Sequence, residues 1–170
     1  MLDFTSALYL GLVHEHASLR PWQQFTAGKP AVLHTMPGAL SVASDLATLT
    51  GCEAATLAPS TLHLFTDVFR LWPQPRSTVI YADETLYRTG LWGIERAMGL
   101  GMCVNRFRHH DAESLRRALR MHSHRTTVVA TDGYCPCCGQ PAPIPGYLEC
   151  LNGRNGWLLH GTLGPGSRAG

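Results

Sequence analysis

Four cysteines in the second half of the chain are the residues whose side chains are most suited to metal binding or redox chemistry. Cys135, Cys137 and Cys138 lie within one short loop, and Cys150 follows later. Cysteine thiolates bind zinc and take part in redox reactions, and four of them suffice for a tetrahedral zinc site. Zinc modules usually pair their ligands as C-x2-C, whereas the spacing here starts as C-x-C-C. Two interpretations stay open: a metal or redox site, or a pocket loop in which the cysteines are small packing groups.

The turn at Ser60, Thr61 and Leu62 is a second candidate site, because it joins a predicted strand to a predicted helix. The first backbone N–H groups of a helix are unpaired, and together with the helix dipole they suit a phosphate group. A serine at this position more often only caps the helix. The turn therefore indicates a phosphate site without establishing one.

Acidic side chains follow two of the predicted strands. Asp83 and Glu84 follow one strand and Asp132 follows another, which places them at the same edge of a parallel sheet. A carboxylate pair for acid/base chemistry is a weak possibility at this edge. The adjacent His109 and His110 are expected to be solvated.

Alternating strands and helices must position these residues. The β-branched run 126–131 predicts a buried strand that opens a loop at its carboxyl end. Further strands are predicted at 54–57, 78–82, 102–107 and 157–159, and helices at 39–50, 60–72, 86–100, 111–120 and 147–151. This alternation predicts an α/β fold with a mostly parallel sheet.

The same patterns divide the chain into three segments. Residues 1–51 are predicted to form an amino-terminal arm, a loop with one short helix at 19–25, and a first full helix. Residues 52–160 are predicted to form the α/β portion, and residues 161–170, which are rich in glycine, are predicted to form a flexible tail.

Composition narrows the class of protein. The length of 170 residues and an apolar content of 45% fit one globular domain. The charged fraction is only 15%, so part of the surface is neutral or covered by a partner. A net charge of +2 without a basic stripe argues against nucleic-acid binding. Apolar runs of about 18 residues and a basic leader are both absent from the sequence, so we expect a cytoplasmic protein with reduced cysteines and no membrane association.

Five stretches, taken in order, resemble the motifs of one enzyme family. YLGL at 9–12 is similar to N-Y-L-G-L, and 35–51 is similar to a T-H-P…L-A-x-x-x-G helix. Residues 60–62 lie where the family has S-G-Y, 82–89 resemble S-D-E-L-N-H-A-S, and 132–144 resemble E-G-V-F-S-M-D-G-D-I-A-P-L. The family is the fold type I pyridoxal-phosphate (PLP) enzymes. The branch is the α-oxoamine synthases, such as 8-amino-7-oxononanoate synthase and glycine C-acetyltransferase, and the similarity is to the first part of their large domain.

The resemblance implies a cofactor site and an activity. Backbone amides of Ser60, Thr61 and Leu62 would hold the cofactor phosphate, and Tyr87 would replace the histidine that stacks over the pyridine ring. His160 matches the histidine of the family's A-H-G. The implied reaction is acyl transfer from a thioester to an amino acid, or a related aminotransferase reaction, in a dimer with itself or with a full-length homologue. By the same match the cysteines replace F, M and D and are not metal ligands.

Two departures from the family limit this prediction. The aspartate that pairs with the pyridine nitrogen and the Schiff-base lysine have no counterparts, and the only lysine, Lys29, matches a different loop. PLP chemistry needs both groups, so the chain alone is predicted to bind PLP weakly, through its phosphate, and to be inactive. Two alternatives remain: a non-catalytic interaction subunit of a full-length relative, and a small zinc or redox module.

Overall fold

The computed structural model describes residues 38–58, 60–70, 75–122, 125–135 and 137–161. The chain divides into two units, residues 1–56 and 57–170. In the first unit the described helix is α1, Ala39–Thr50, which ends at Gly51 in the left-handed conformation with φ 68°. The predicted arm, the predicted helix at 19–25 and most of the predicted tail lie outside the described residues.

A parallel sheet of four strands forms the centre of the second unit. In chain order the strands of this unit are β1 (Thr78–Asp83), β2 (Cys103–Phe107), β3 (Thr126–Asp132), β4 (Tyr134–Cys135), β5 (Gln140–Pro141) and β6 (Gly156–Gly161). The main sheet has the order β2-β1-β3-β6 with every pair parallel, and β4 and β5 form a separate antiparallel hairpin. The predicted α/β class with a mostly parallel sheet is confirmed.

Helices cover both faces of the main sheet. The helices of this unit are α2 (Thr61–Val68), α3 (Arg88–Gly99), α4 (Ala112–Leu119) and α5 (Ile144–Leu151). The core on one face contains Leu115 and Leu119 of α4 and Tyr147 of α5. The core on the other face contains Ile94 and Ala97 of α3. Crossover helices on both faces bury a parallel sheet from both sides, which is the arrangement expected of βαβ units.

The central strands β1 and β3 are buried almost throughout. All residues of β1 are buried, and its side chains alternate between the two cores: Val79 and Tyr81 on the α4–α5 face, Ile80 and Ala82 on the α3 face. This two-sided burial explains why the strand is a continuous apolar run instead of an alternating one.

The structure differs from the sequence prediction at several places. Residues 54–57, predicted as a strand, form none, and most of them are exposed. The helix predicted at 60–72 ends at Val68, and α5 begins at Ile144, three residues earlier than predicted. The β4–β5 hairpin was not predicted, because its strands have two residues each and β5 ends in proline. None of the described helices is both long and apolar enough to cross a membrane.

Candidate functional site

The carboxyl ends of β1 and β3 form a topological switch point. β1 continues through α3, which packs on one face of the sheet, whereas β3 leads to α5 on the other face. Because the two connections leave in opposite directions, a crevice opens between the strand ends, and such crevices bind ligands in α/β proteins. Asp83 ends β1 and Asp132 ends β3, so the carboxylates predicted at one sheet edge do meet there.

Asp83 is a buried carboxylate at the centre of a hydrogen-bond network. Its Oδ1 accepts from the backbone N–H of Thr85 at 2.9 Å and the Thr85 hydroxyl at 3.0 Å, and lies 3.0 Å from His109 Nδ1. Its Oδ2 accepts from the backbone N–H of His110 at 3.2 Å. Burial raises the pKa of Asp83, but the bonds to Thr85, His109 and His110 outweigh it and leave the pKa below its usual value.

His109 is held by this network, and the prediction that it is solvated was wrong. Its side chain is only 23% exposed, and its ring stacks on that of His110 at a centroid distance of 3.7 Å. Burial lowers the pKa of His109, but Asp83 raises it above the ordinary value. The pKa of His110 is lowered by burial and by the neighbouring His109. The sequence signal that was available is its position directly after β2, beside the loop that follows β1.

Asp132 connects β3 to the loop that precedes α3. Its Oδ2 accepts a 2.8 Å hydrogen bond from the backbone N–H of Tyr87. Burial raises the pKa of Asp132 above its usual value, and the bond from Tyr87 only partly offsets this. The Tyr87 side chain is 43% exposed at the end of the sheet, so its ring is available to a ligand while its backbone is fixed.

The remaining predicted cofactor residues lie on α2 and β6. Ser60 is the N-cap of α2 and accepts from the backbone N–H of His63 at 3.4 Å. Thr61 and Leu62 are therefore the first two residues of that helix, whose N–H groups have no partner within the helix. His160 is exposed near the carboxyl end of β6, opposite Thr131 in register.

Gly161 marks a close approach between α2 and the strand ends. A Cβ atom added at Gly161 would lie 3.5 Å from Asp132 Oδ1 and 3.5 Å from the ring of Phe65 on α2. The end of β6, the end of β3 and α2 therefore converge, one turn of helix beyond Ser60. The backbone of Tyr87 is hydrogen-bonded to Asp132 and so lies next to this convergence. The Ser60 side chain, in contrast, is hydrogen-bonded to His63 within its own helix.

The cysteine loop folds as a tight hairpin beside His109. Cys135 ends β4 and is buried, and Gly139 donates its N–H to the Cys135 carbonyl at 2.9 Å with φ +67°. Burial raises the pKa of Cys135, but hydrogen bonds from the backbone N–H groups of Cys138 and Cys137 outweigh it and lower the pKa. Cys138 Sγ lies 3.3 Å from His109 Nε2.

Two of the four cysteines from the predicted thiolate set do not take part in this arrangement. Cys150 is buried between α4 and α5, where its Sγ lies 3.5 Å from the Ala112 carbonyl, and Cys137 is exposed. The zinc site of four thiolates considered from the sequence is therefore not assembled in the structure. Cys135 and Cys138 have the C-x2-C spacing, a signal that the C-x-C-C interpretation overlooked.

Comparisons with known proteins point to one group of enzymes. No protein-family model matches the chain. It is 28% identical over 165 residues to the 8-amino-7-oxononanoate synthase of Pectobacterium atrosepticum, covering 93% of this chain and 42% of that protein. It is 30% identical over 184 residues to the enzyme of the same name from Aromatoleum aromaticum, covering 99% of this chain and 46% of that protein. The chain thus spans less than half the length of these relatives.

Solved structures agree with the sequence similarity. The serine palmitoyltransferase of Sphingomonas wittichii is 20% identical with a TM-score of 0.66, over 79% of this chain and 33% of that one. A PLP-bound serine palmitoyltransferase from S. paucimobilis is 17% identical with a TM-score of 0.65, over 74% of this chain and 32% of that one. The chain is a homologue of the α-oxoamine synthases. The interaction-subunit and zinc or redox module alternatives are not favoured by these similarities.

Several groups at the switch point suit an aromatic, phosphorylated ligand. An exposed aromatic ring and two buried carboxylates lie at the strand ends, and α2 approaches them through Phe65. The first N–H groups of α2 have no partner within the helix. These groups fit a phosphorylated aromatic aldehyde such as PLP. Lysine does not occur among the described residues, because Lys29 lies outside them. The described residues therefore fit the phosphate and the ring of the cofactor but include no amine for its aldehyde.

Proposed function

We propose that this chain forms the first part of the large domain of a PLP-dependent α-oxoamine synthase. The single observation that supports this proposal most is the sequence similarity to 8-amino-7-oxononanoate synthases over almost the whole chain. The proposed reaction is transfer of an acyl group from a thioester to an amino acid. When bound, PLP supplies the electron sink for that reaction.

The proposed phosphate site is the N-terminus of α2. Ser60 adopts an extended conformation with φ −163° and ψ 162°, and the helix starts at Thr61. The free N–H groups of Thr61 and Leu62, with the positive end of the helix dipole, would hold a dianionic phosphate. The Ser60 hydroxyl contacts the His63 ring at 2.7 Å, so it also fixes a second polar group at this end of the helix.

Tyr87 is the proposed ring-stacking residue. The 2.8 Å bond from its N–H to Asp132 holds its backbone at the switch point, and the aromatic side chain remains partly exposed. A flat pyridine ring stacks favourably on such a face. His160 is proposed as a further cofactor contact, because it is exposed one residue before the convergence of Gly161 with Asp132.

The surface of α3 and the state of the cysteines support proposals about the binding partner and the cellular compartment of the protein. Exposed apolar side chains on α3, Trp92 and Met98, fit a surface that is covered in an assembly. We propose a dimer with a second copy or with a full-length homologue. A cytoplasmic location is supported by the six cysteines, all of which are free.

Exchange of one backbone donor tests the phosphate site. Thr61→Pro removes the N–H at the first position of α2, where proline is tolerated and where extended Ser60 suits the residue before a proline. We expect PLP to bind Thr61→Pro roughly 10–150-fold more weakly than the original chain, because a hydrogen bond to a charged group contributes about 1.5–3 kcal/mol. Calorimetric titration with PLP measures the change.

Thr61→Ala is the matched control, because it removes the side chain and keeps the N–H. Its affinity for PLP should remain within about twofold of the original, a difference of less than 0.5 kcal/mol. Pyridoxal, which lacks the phosphate, should bind both variants equally and weakly. Equal binding of pyridoxal and PLP to the original chain, or equal losses in the two variants, would disprove the phosphate assignment.

A further inference from the structure

We propose that His109, Cys135 and Cys138 form a binding site for a single zinc ion at the carboxyl edge of the sheet. One nitrogen and two sulfur donors lie within 4.8 Å of one another, although they come from two loops. His109 follows β2, whereas both cysteines belong to the β4–β5 hairpin after β3. Neither the α-oxoamine synthase activity nor PLP requires such a site, so the inference is independent of the proposed function.

The spacing of the donor atoms fits zinc coordination. A zinc ion with one sulfur at about 2.3 Å and one nitrogen at about 2.0 Å in tetrahedral geometry separates these atoms by about 3.5 Å. The structure places Cys138 Sγ 3.3 Å from His109 Nε2. His110 Nδ1 lies 4.0 Å from the same sulfur, on the ring stacked against His109. The His109 and Cys138 atoms therefore need shifts of only a few tenths of an ångström to receive an ion, and Cys135 Sγ lies within 4.8 Å of both.

The hairpin brings the sulfur atoms of the buried Cys135 and the exposed Cys138 to the same side as His109. Cys135 and Cys138 are separated by two residues, the spacing with which zinc loops supply a pair of ligands. Gly139 supports the turn, because its positive φ of +67° is one that other residues rarely adopt.

Asp83 orients the histidine ligand. Zinc-bound histidines usually give their second ring nitrogen to a carboxylate or a carbonyl, which fixes the ring orientation. His109 Nδ1 lies 3.0 Å from the buried Asp83 carboxylate, which leaves Nε2 directed at Cys138. Asp83 is in turn held by Thr85 and the His110 backbone, so the positioning group is itself fixed.

Two soft thiolates and an imidazole select zinc over magnesium or calcium, which prefer oxygen ligands. An ion here would join the loop after β2 to the loop after β3, beside the switch point that would receive the cofactor. With three protein ligands, the fourth coordination position would be open to water. The ion would still link two separate loops and so add to the stability of the fold.

The test is the metal content of the complete chain purified under reducing conditions. We expect about one zinc ion per chain by mass spectrometry of the metal, and less than about a tenth of that in Cys138→Ser and His109→Ala. Cys137→Ser is the matched control, because Cys137 lies in the same hairpin but is exposed and outside the donor cluster. It should retain its zinc. Asp83→Asn should weaken zinc binding by about 10–100-fold through loss of ring orientation.

Cobalt substitution provides a readout that does not depend on how well a variant folds. Co²⁺ titrated into the metal-free original chain should give tetrahedral visible bands and a thiolate charge-transfer band, and one equivalent of zinc should abolish both. A reduced chain that holds no zinc and gives no cobalt bands would overturn the proposal. Equal loss of metal in Cys137→Ser and Cys138→Ser would overturn it as well.

Discussion

Asp83→Ala is expected to lower the free energy of unfolding by about 3 kcal/mol, because each buried donor left without a partner costs about 1–3 kcal/mol. The Asp83 side chain is 2% exposed and accepts from the Thr85 N–H, the Thr85 hydroxyl and the His110 N–H, besides its contact with His109. Urea unfolding followed by circular dichroism, with a chelator present so that metal does not contribute, measures the loss.

Asp67→Ala is the control for that measurement. Asp67 is an exposed carboxylate on α2, so its removal should change the free energy of unfolding by no more than about 0.5 kcal/mol. Asp83→Asn, which keeps one acceptor oxygen, should fall between the two. Similar values for Asp83→Ala and Asp67→Ala would show that the network around Asp83 contributes little to stability.

Gly93→Ala is expected to be the most damaging single-methyl addition in the described helices. A Cβ atom at Gly93 would lie 2.8 Å from the carbonyl oxygen of Phe65 and 2.9 Å from its Cβ, so α3 and α2 would have to move apart. Overpacking against backbone costs about 1–3 kcal/mol. Because α2 provides the proposed phosphate site, the affinity for PLP should fall together with the unfolding midpoint.

Gly99→Ala separates this steric effect from the effect of losing a glycine in a helix. Gly99 is the last residue of α3, and an added Cβ would meet nothing within 4 Å. Alanine there should stabilise the helix by up to about 1 kcal/mol. Two alanine variants with the same unfolding midpoint would contradict the close contact between α2 and α3.

The strands of the sheet were predictable because their residue types, apolar and often β-branched, indicate burial. The β-branched runs of β1 and β3 are typical of strands in a sheet that is covered on both faces, and both strands are buried. The strand predicted at 54–57 was wrong for the opposite reason: its residues are apolar but most are exposed, and periodicity cannot show whether a neighbouring strand is present.

The site was less predictable, because its contacts join residues far apart in the chain. The bond from Tyr87 to Asp132 spans 45 positions, and the contact of His109 with Cys138 spans 29. The positions of Asp83 and Asp132 followed from the rule that parallel strands end at one edge. The contact of His109 with Cys138 could not be predicted in this way, because Cys138 belongs to a hairpin whose two-residue strands give no periodic signal in the sequence. The cofactor roles of Ser60, Thr61, Leu62, Tyr87 and His160 stay predictions.

Burial of the central strands also determines how rarely the fold opens around a ligand site at the ends of these strands. Amide protons of β1 and β3 are shielded on both faces, so they should exchange with solvent only when the second unit unfolds globally. The outer strands β2 and β6 are only partly buried and should open more often. Asp83 and Asp132 are attached to the slowly exchanging pair, whereas His109 follows a faster one. A bridge between these loops would therefore slow the opening of β2, and because it also stabilises the fold against global unfolding, it would slow the exchange of β1 and β3 as well.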